Sequence, residues 1–111
     1  MDLNQYQELA LKTAIYPGQK SFAGLIYTTL KLNGEAGEIA EKVGKVLRDA
    51  GGVLLPGTRE ELRKELGDVL WYVAAMASEL GVDLDFIAKL NIQKLTSRAE
   101  RNMLGGSGDN R

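Results

Sequence analysis

The sequence predicts an all-α domain, a four-helix-bundle-like arrangement of short-looped helices. Three observations carry that prediction. Apolar residues recur at helical spacing, as in Leu62, Leu66, Val69, Leu70 and Val73. Gly and Pro punctuate the chain at Tyr16-Pro17-Gly18, Gly51-Gly52, Pro56 and Gly81. No stretch long enough to be a strand alternates apolar with polar residues; Gly52 to Leu55 is too short.

The first helix is predicted from about Leu3 to Ala14, with Asp2 as its N-cap. A second helical region runs from near Ser21 to about Ala50, with a break or kink expected at Asn33-Gly34 because Gly costs ~1 kcal/mol in a helix relative to Ala. A loop follows from Val53 to Gly57. Thr58 is expected to open the third helix through a capping box with Glu61, each side chain satisfying the other's free backbone N–H. That helix ends at Gly81. Asp83 caps a fourth, from Leu84 to about Met103. The expected boundaries are a domain over residues 1–104 and a disordered tail over 105–111, which is too Gly-rich and polar to fold. Short connections make neighbouring helices antiparallel.

A chain of 111 residues fits one domain. A domain of this size buries roughly two-thirds of its unfolded surface, little for a deep private active site, so oligomerisation is expected to supply the missing walls. Net charge is −1, which gives no general attraction to a nucleic acid polymer or an anionic membrane. Cys and His are both absent. Disulfides, thiol nucleophiles, zinc fingers and imidazole acid–base chemistry are thereby excluded. The absence of Cys fits a reducing, cytoplasmic setting. The polar start, Met1-Asp2-Leu3-Asn4-Gln5, does not resemble a signal peptide, and no apolar run approaches the ~20 residues of a membrane span.

Two segments hold the chemistry: Gly34-Glu35-Ala36-Gly37-Glu38-Ile39-Ala40-Glu41 and Lys64-Glu65-Leu66-Gly67-Asp68-Val69-Leu70-Trp71-Tyr72. Each has two acids spaced i, i+3, which are surface neighbours on a helix. At about 100° per residue, both pairs sit at the same edge of an apolar arc. That arc is Leu32, Ala36, Ile39, Ala40, Val43, Val46 and Leu47 on one helix, and Leu62, Leu66, Val69, Leu70, Val73, Met76, Ala77 and Leu80 on the other. If the arcs pack together, Glu35, Glu38, Glu65 and Asp68 face one another. Converging carboxylates repel unless a hard cation holds them. Mg²⁺ suits such oxygen ligands and shares them with phosphates. It polarises phosphoryl oxygen and acidifies water, so no protein nucleophile is needed. Mn²⁺ is an acceptable substitute. A single i, i+3 acid pair is commonly just a solvated helix face; the matched registers of two pairs argue for more. Glu41 points further toward solvent, and Glu60 and Glu61 suit a helix N-terminus.

The pattern E-x-x-E followed by E-x-x-D, with the words Gly-Glu-Ala-Gly-Glu-Ile-Ala-Glu-Lys and Glu-Leu-Gly-Asp-Val-Leu-Trp-Tyr, resembles the MazG-like all-α nucleoside triphosphate pyrophosphohydrolases. The resemblance extends through Leu80-Gly81-Val82-Asp83-Leu84 and Asn91-Ile92-Gln93-Lys94-Leu95 to Arg98, covering most of Asp2 to Met103. It implies Mg²⁺-dependent cleavage between the α- and β-phosphates of a nucleotide, with Glu35, Glu38, Glu65 and Asp68 as metal ligands. It also implies that Asn91, Lys94 and Arg98 lie near the phosphates or the metal. A homodimer or homotetramer, with sites completed by a neighbouring chain, is implied as well.

Lys94 and Arg98, at i, i+4, share one helix face and could balance a triphosphate; the alternative is a pair of surface cations bound to Glu100 or Asp83. Asn91 is either a substrate contact or a polar position on a helix face. Trp71, Tyr72 and Phe22 are candidates to stack on a base or close the pocket, the alternative being packing against a second subunit. Lys12 and Lys20 are indistinguishable from surface cations. The leading expectation is hydrolysis of nucleoside triphosphates for house-cleaning of the deoxynucleotide pool. A dUTP- or phosphoribosyl-ATP-specific pyrophosphohydrolase is the variant within that class. A non-enzymatic helical dimerisation or partner-binding module is the competing class. A di-iron carboxylate bundle is disfavoured because those sites include Glu-x-x-His motifs.

Overall fold

In the computed structural model, which describes residues 1–111, the chain forms four helices and no strand. They are α1 (Leu3–Leu11), α2 (Phe22–Asp49), α3 (Pro56–Glu79) and α4 (Leu84–Glu100). The Asp2 carboxylate accepts from the Gln5 N–H at 2.8 Å, and the Gln5 side chain accepts from the Asp2 N–H at 2.8 Å. The first helix is therefore capped as expected, though it ends at Leu11, three residues earlier than the sequence predicts. The chain then turns through Tyr16-Pro17-Gly18, where Gly18 takes φ +72°. A side chain there would also press on Ala23, whose Cβ lies 2.7 Å from the position a Gly18 Cβ would occupy.

The second helix is continuous through Asn33-Gly34, so the expected kink does not form. Its partner explains this. α2 and α3 run antiparallel along one long seam. Beyond the part of the pair that α1 and α4 cover, the less exposed residues of α2 are Leu32, Glu35, Ile39, Lys42 and Val46, continuing from Thr28, and those of α3 are Thr58, Leu62, Glu65 and Val69, continuing to Tyr72 and Met76. Both sets step alternately by four and three residues, the spacing of coiled-coil seam positions. Packing spread over that length outweighs the ~1 kcal/mol cost of a single Gly.

The third helix begins at Pro56, not at Thr58. Proline at the first helical position has no N–H to satisfy and its φ is already helical. Thr58 thus falls inside the first turn, and the predicted Thr58–Glu61 box is absent; Glu61 approaches Lys42 instead, at 3.5 Å. Asp83 does cap α4, accepting from the Phe86 N–H at 2.8 Å. The closing residues, expected to be unfolded on composition, turn back toward α4. Asp109 meets Lys94 at 2.7 Å, and the Arg111 guanidinium donates to the carbonyls of Leu104, Gly105 and Gly108.

The core is confined to one end. Ala10, Ala74, Ala75, Ala77 and Leu84 are buried where α1, α3 and the start of α4 meet. Gln7 stitches that junction: its side-chain N–H donates to the carbonyls of Ala74 and Val82, and its carbonyl accepts from the Leu84 N–H. At the other end much of the predicted apolar arc is open. Leu47 is 75% exposed and Leu66 62% exposed. The radius of gyration is 16.9 Å, against about 13 Å for a compact domain of this length. The accessible surface is 7732 Å², against roughly 6,000 Å² for a folded monomer of this mass. No helix is long and apolar enough to cross a membrane.

Candidate active site

The seam carries three charged positions at its middle: Glu35, Lys42 and Glu65. Glu38 lies one turn beyond Glu35 on the exposed flank. One carboxylate oxygen from each of Glu35, Glu38 and Glu65 lies within 4.8 Å of the others. The Glu65 Oε2 atom is buried and accepts no hydrogen bond. A buried acceptor without a partner is costly, and more so when it bears charge. Such an oxygen beside two more carboxylates suits a small hard cation.

Asp68 does not join that tight trio. It lies one turn along α3 from Glu65 and, with Glu35, borders a cleft of about 510 Å³. The remaining walls are Thr13, Ile15, Tyr16, Pro17, Tyr27, Trp71 and Tyr72. Trp71 and Tyr72 were predicted site residues, and the structure brings both to the acids. Tyr16 and Tyr27 were not predicted. Their rings stack at 5.4 Å with 7° between planes. Trp71 meets Tyr16 edge-on at 6.3 Å and Tyr72 at 4.8 Å. The signal for Tyr27 was its place two turns before Glu35 on one helix. Tyr16 gave no signal, because only the return of α1 over α3 delivers it.

This aromatic box is held from outside. The Trp71 indole N–H donates to the Ala10 carbonyl and the Thr13 hydroxyl. The Tyr16 hydroxyl donates to Glu79, whose carboxylate also accepts from the Lys20 N–H. Burial, the Glu79 hydrogen bond and its charge all push the Tyr16 phenol well above the usual tyrosine range. Burial raises Tyr72 too, followed by Tyr27 and the charges of Glu35 and Asp68. Tyr6 is raised by burial and then by the Asp68 charge.

The other predicted site residues lie elsewhere in this chain. Phe22 is 74% exposed and borders a separate shallow pocket with Lys20, Leu25 and Glu79. It opens α2, about 20 Å along the helix from Glu35, and does not line the cleft beside the acids. Asn91 is exposed. Arg98 is buried against the tail, donating to the Asp109 carbonyl at 2.6 Å, and Lys94 pairs with the Asp109 carboxylate, not with Glu100 or Asp83. None of the three lines the cleft, because α4 docks on α1 and α3 and makes no contact with α2.

A long helical pair with matched acid pairs across its seam and an aromatic cleft beside them defines a class, and comparison agrees with it. Residues 25–103 match the MazG nucleotide pyrophosphohydrolase domain, and the chain belongs to that family. It is also 51% identical over 114 residues to the Gene 37 protein of Mycobacterium phage L5, with both chains covered in full. No solved structure shows a significant match. Family membership supports nucleotide pyrophosphohydrolase activity in general, and the family is generally dependent on divalent metals.

Proposed function

We propose that this protein hydrolyses nucleoside or deoxynucleoside triphosphates to the monophosphate and pyrophosphate, with Mg²⁺ as the preferred metal and clearance of unwanted nucleotides as its role. The observation that carries the reading is the trio Glu35, Glu38 and Glu65, with its unpartnered buried oxygen, opening toward an aromatic cleft. Glu35, Glu38, Glu65 and Asp68 would hold the metal. When bound, it supplies charge neutralisation at the phosphates and a lowered pKa for water.

The chain's own residues do the rest. The cleft receives the base, and the rings of Tyr16, Tyr27, Trp71 and Tyr72 exclude water around it. The triphosphate then lies over the acids. A water oxygen forms a bond to phosphorus as the P–O bond between the α- and β-phosphates breaks. The bridging oxygen keeps the electron pair and leaves within pyrophosphate. A carboxylate accepts the water proton.

The protein works as a homodimer or homotetramer in the cytoplasm on this reading. Excess surface, a large radius and the open Leu47 and Leu66 support a second copy covering the far end of the seam. Asn91, Lys94 and Arg98 then belong to a neighbouring copy's phosphates, with Asp109 yielding Lys94 and Arg98 to the substrate.

The test is pyrophosphate release from a panel of standard and modified NTPs and dNTPs, dUTP and phosphoribosyl-ATP included, with and without Mg²⁺. Monophosphate plus pyrophosphate, abolished by EDTA, is the expected result. A folded, oligomeric protein that releases nothing from any nucleotide sinks the reading in favour of a partner-binding module.

A further inference from the structure

Lys42 occupies a seam position one heptad after Glu35. Its side chain keeps 33% of its surface exposed, so the stem packs in the seam while the ammonium reaches water. Its ammonium lies 3.5 Å from Glu61 and 3.6 Å from Glu65. Both distances exceed the ~2.7–2.9 Å of a charge-assisted hydrogen bond. Two other lysines are held more tightly, Lys94 to Asp109 at 2.7 Å and Lys89 to Asp85 at 2.8 Å, while Lys45 meets Glu41 at 3.2 Å. Lys42 is thus charged, anchored among carboxylates and loosely committed to each.

Its place along the groove gives it a role. The aromatic cleft lies at one end, bounded by Glu35 and Asp68. Glu38 and Glu65 come next, and Lys42 stands past them on the side away from the cleft. Seven residues separate Glu35 from Lys42, about 10 Å along the helix. A nucleotide with its base in the cleft and its α-phosphate at Glu35 and Asp68 therefore directs its β- and γ-phosphates toward Lys42.

We propose, building on the pyrophosphohydrolase reading, that Lys42 binds the leaving pyrophosphate and fixes the direction in which substrate lies along the α2–α3 groove. Lys42 donates to the outer phosphate oxygens and neutralises charge as the α–β bond breaks.

The experiment uses the full chain with Lys42→Met and Lys42→Arg, both checked for fold by circular dichroism. Calorimetry measures Mg²⁺ alone and then inorganic pyrophosphate in the presence of Mg²⁺. Fluorescence of Trp71, the single tryptophan, measures nucleoside monophosphate binding. In Lys42→Met the expected loss of pyrophosphate affinity is about tenfold or more. Monophosphate affinity should stay within about twofold, Mg²⁺ should bind as tightly or tighter because a competing cation is gone, and Lys42→Arg should restore most of the loss. A lysine that merely neutralises the acids also predicts tighter Mg²⁺ but leaves pyrophosphate affinity unchanged or tighter, and that pyrophosphate result overturns the proposal. Equal weakening of both products also overturns it. If the wild-type protein releases pyrophosphate from nucleotides but Lys42→Met binds pyrophosphate normally, only this inference fails. If the wild-type protein releases none, the hydrolase reading fails with it.

Discussion

The two ends of the α2–α3 seam are built differently. At one end α1 and the start of α4 close over α3, and small alanines, Gln7, Tyr16 and Trp71 interlock. Toward the other end Leu47 faces open space and Gly44 has nothing beside it, and even beside the acids Leu66 is open and Gly67 unpartnered. The acids sit at the boundary. The packed end can hold an aromatic wall rigidly, whereas the open end leaves the phosphate side accessible to a neighbouring copy. A site that must discriminate bases and also accept a bulky polyanion gains from that asymmetry.

The largest effect that would break this comparison is at the boundary itself. Glu38→Gln or Asp68→Asn should lower kcat by several orders of magnitude with the fold intact, measured by pyrophosphate release and circular dichroism. Near-full turnover with Mg²⁺ in either variant would remove that residue from the site. At the packed end, Gln7→Ala leaves the Leu84 N–H and the Ala74 and Val82 carbonyls without their partner. We expect a loss of about 2–4 kcal/mol, read from urea unfolding. A loss below about 1 kcal/mol would show that this junction is not what holds the cleft.

The tyrosines sharpen the contrast by pH. Tyr16 has a raised folded-state pKa, so its contribution to stability is complete below the ordinary tyrosine range, near 10, and fades as pH rises above it. Stability should therefore fall between about pH 10 and 12, and Tyr16→Phe should flatten the fall, as followed by thermal melts. An unchanged alkaline slope in Tyr16→Phe would sever the link to the Tyr16–Glu79 bond. The smallest effects concern helix starts. Asp83→Ala should cost about 1 kcal/mol as a lost cap, and Thr58→Ala no more than about 0.5 kcal/mol. Equal losses at the two positions would restore the capping role expected of Thr58.

Local chemistry was legible in the residues themselves. The i, i+3 spacing of Glu35 with Glu38 and of Glu65 with Asp68 was enough to pair them on helix faces, since helix periodicity is a property of the chain. The caps at Asp2 and Asp83 were legible for the same reason: each acts within three residues of itself. Thr58 misled because Pro56, two residues earlier, starts the helix on its own fixed φ. Gly34 misled because its local cost was visible while the α3 packing that offsets it was not.

What the sequence by itself determined is therefore the set of helices, the capped starts of α1 and α4, the bounds of α2 to within a residue, and the acid-bearing faces, all governed by contacts within a turn or two. Tertiary structure alone decided three things. It brought Tyr16 to the cleft through the fold of α1 over α3. It set Lys42 beside Glu65 across the seam. It turned Lys94 and Arg98 away from the acids of their own chain. Each depends on residues far apart in sequence meeting at one place, and periodicity marks a helix's apolar face without saying which other element covers it.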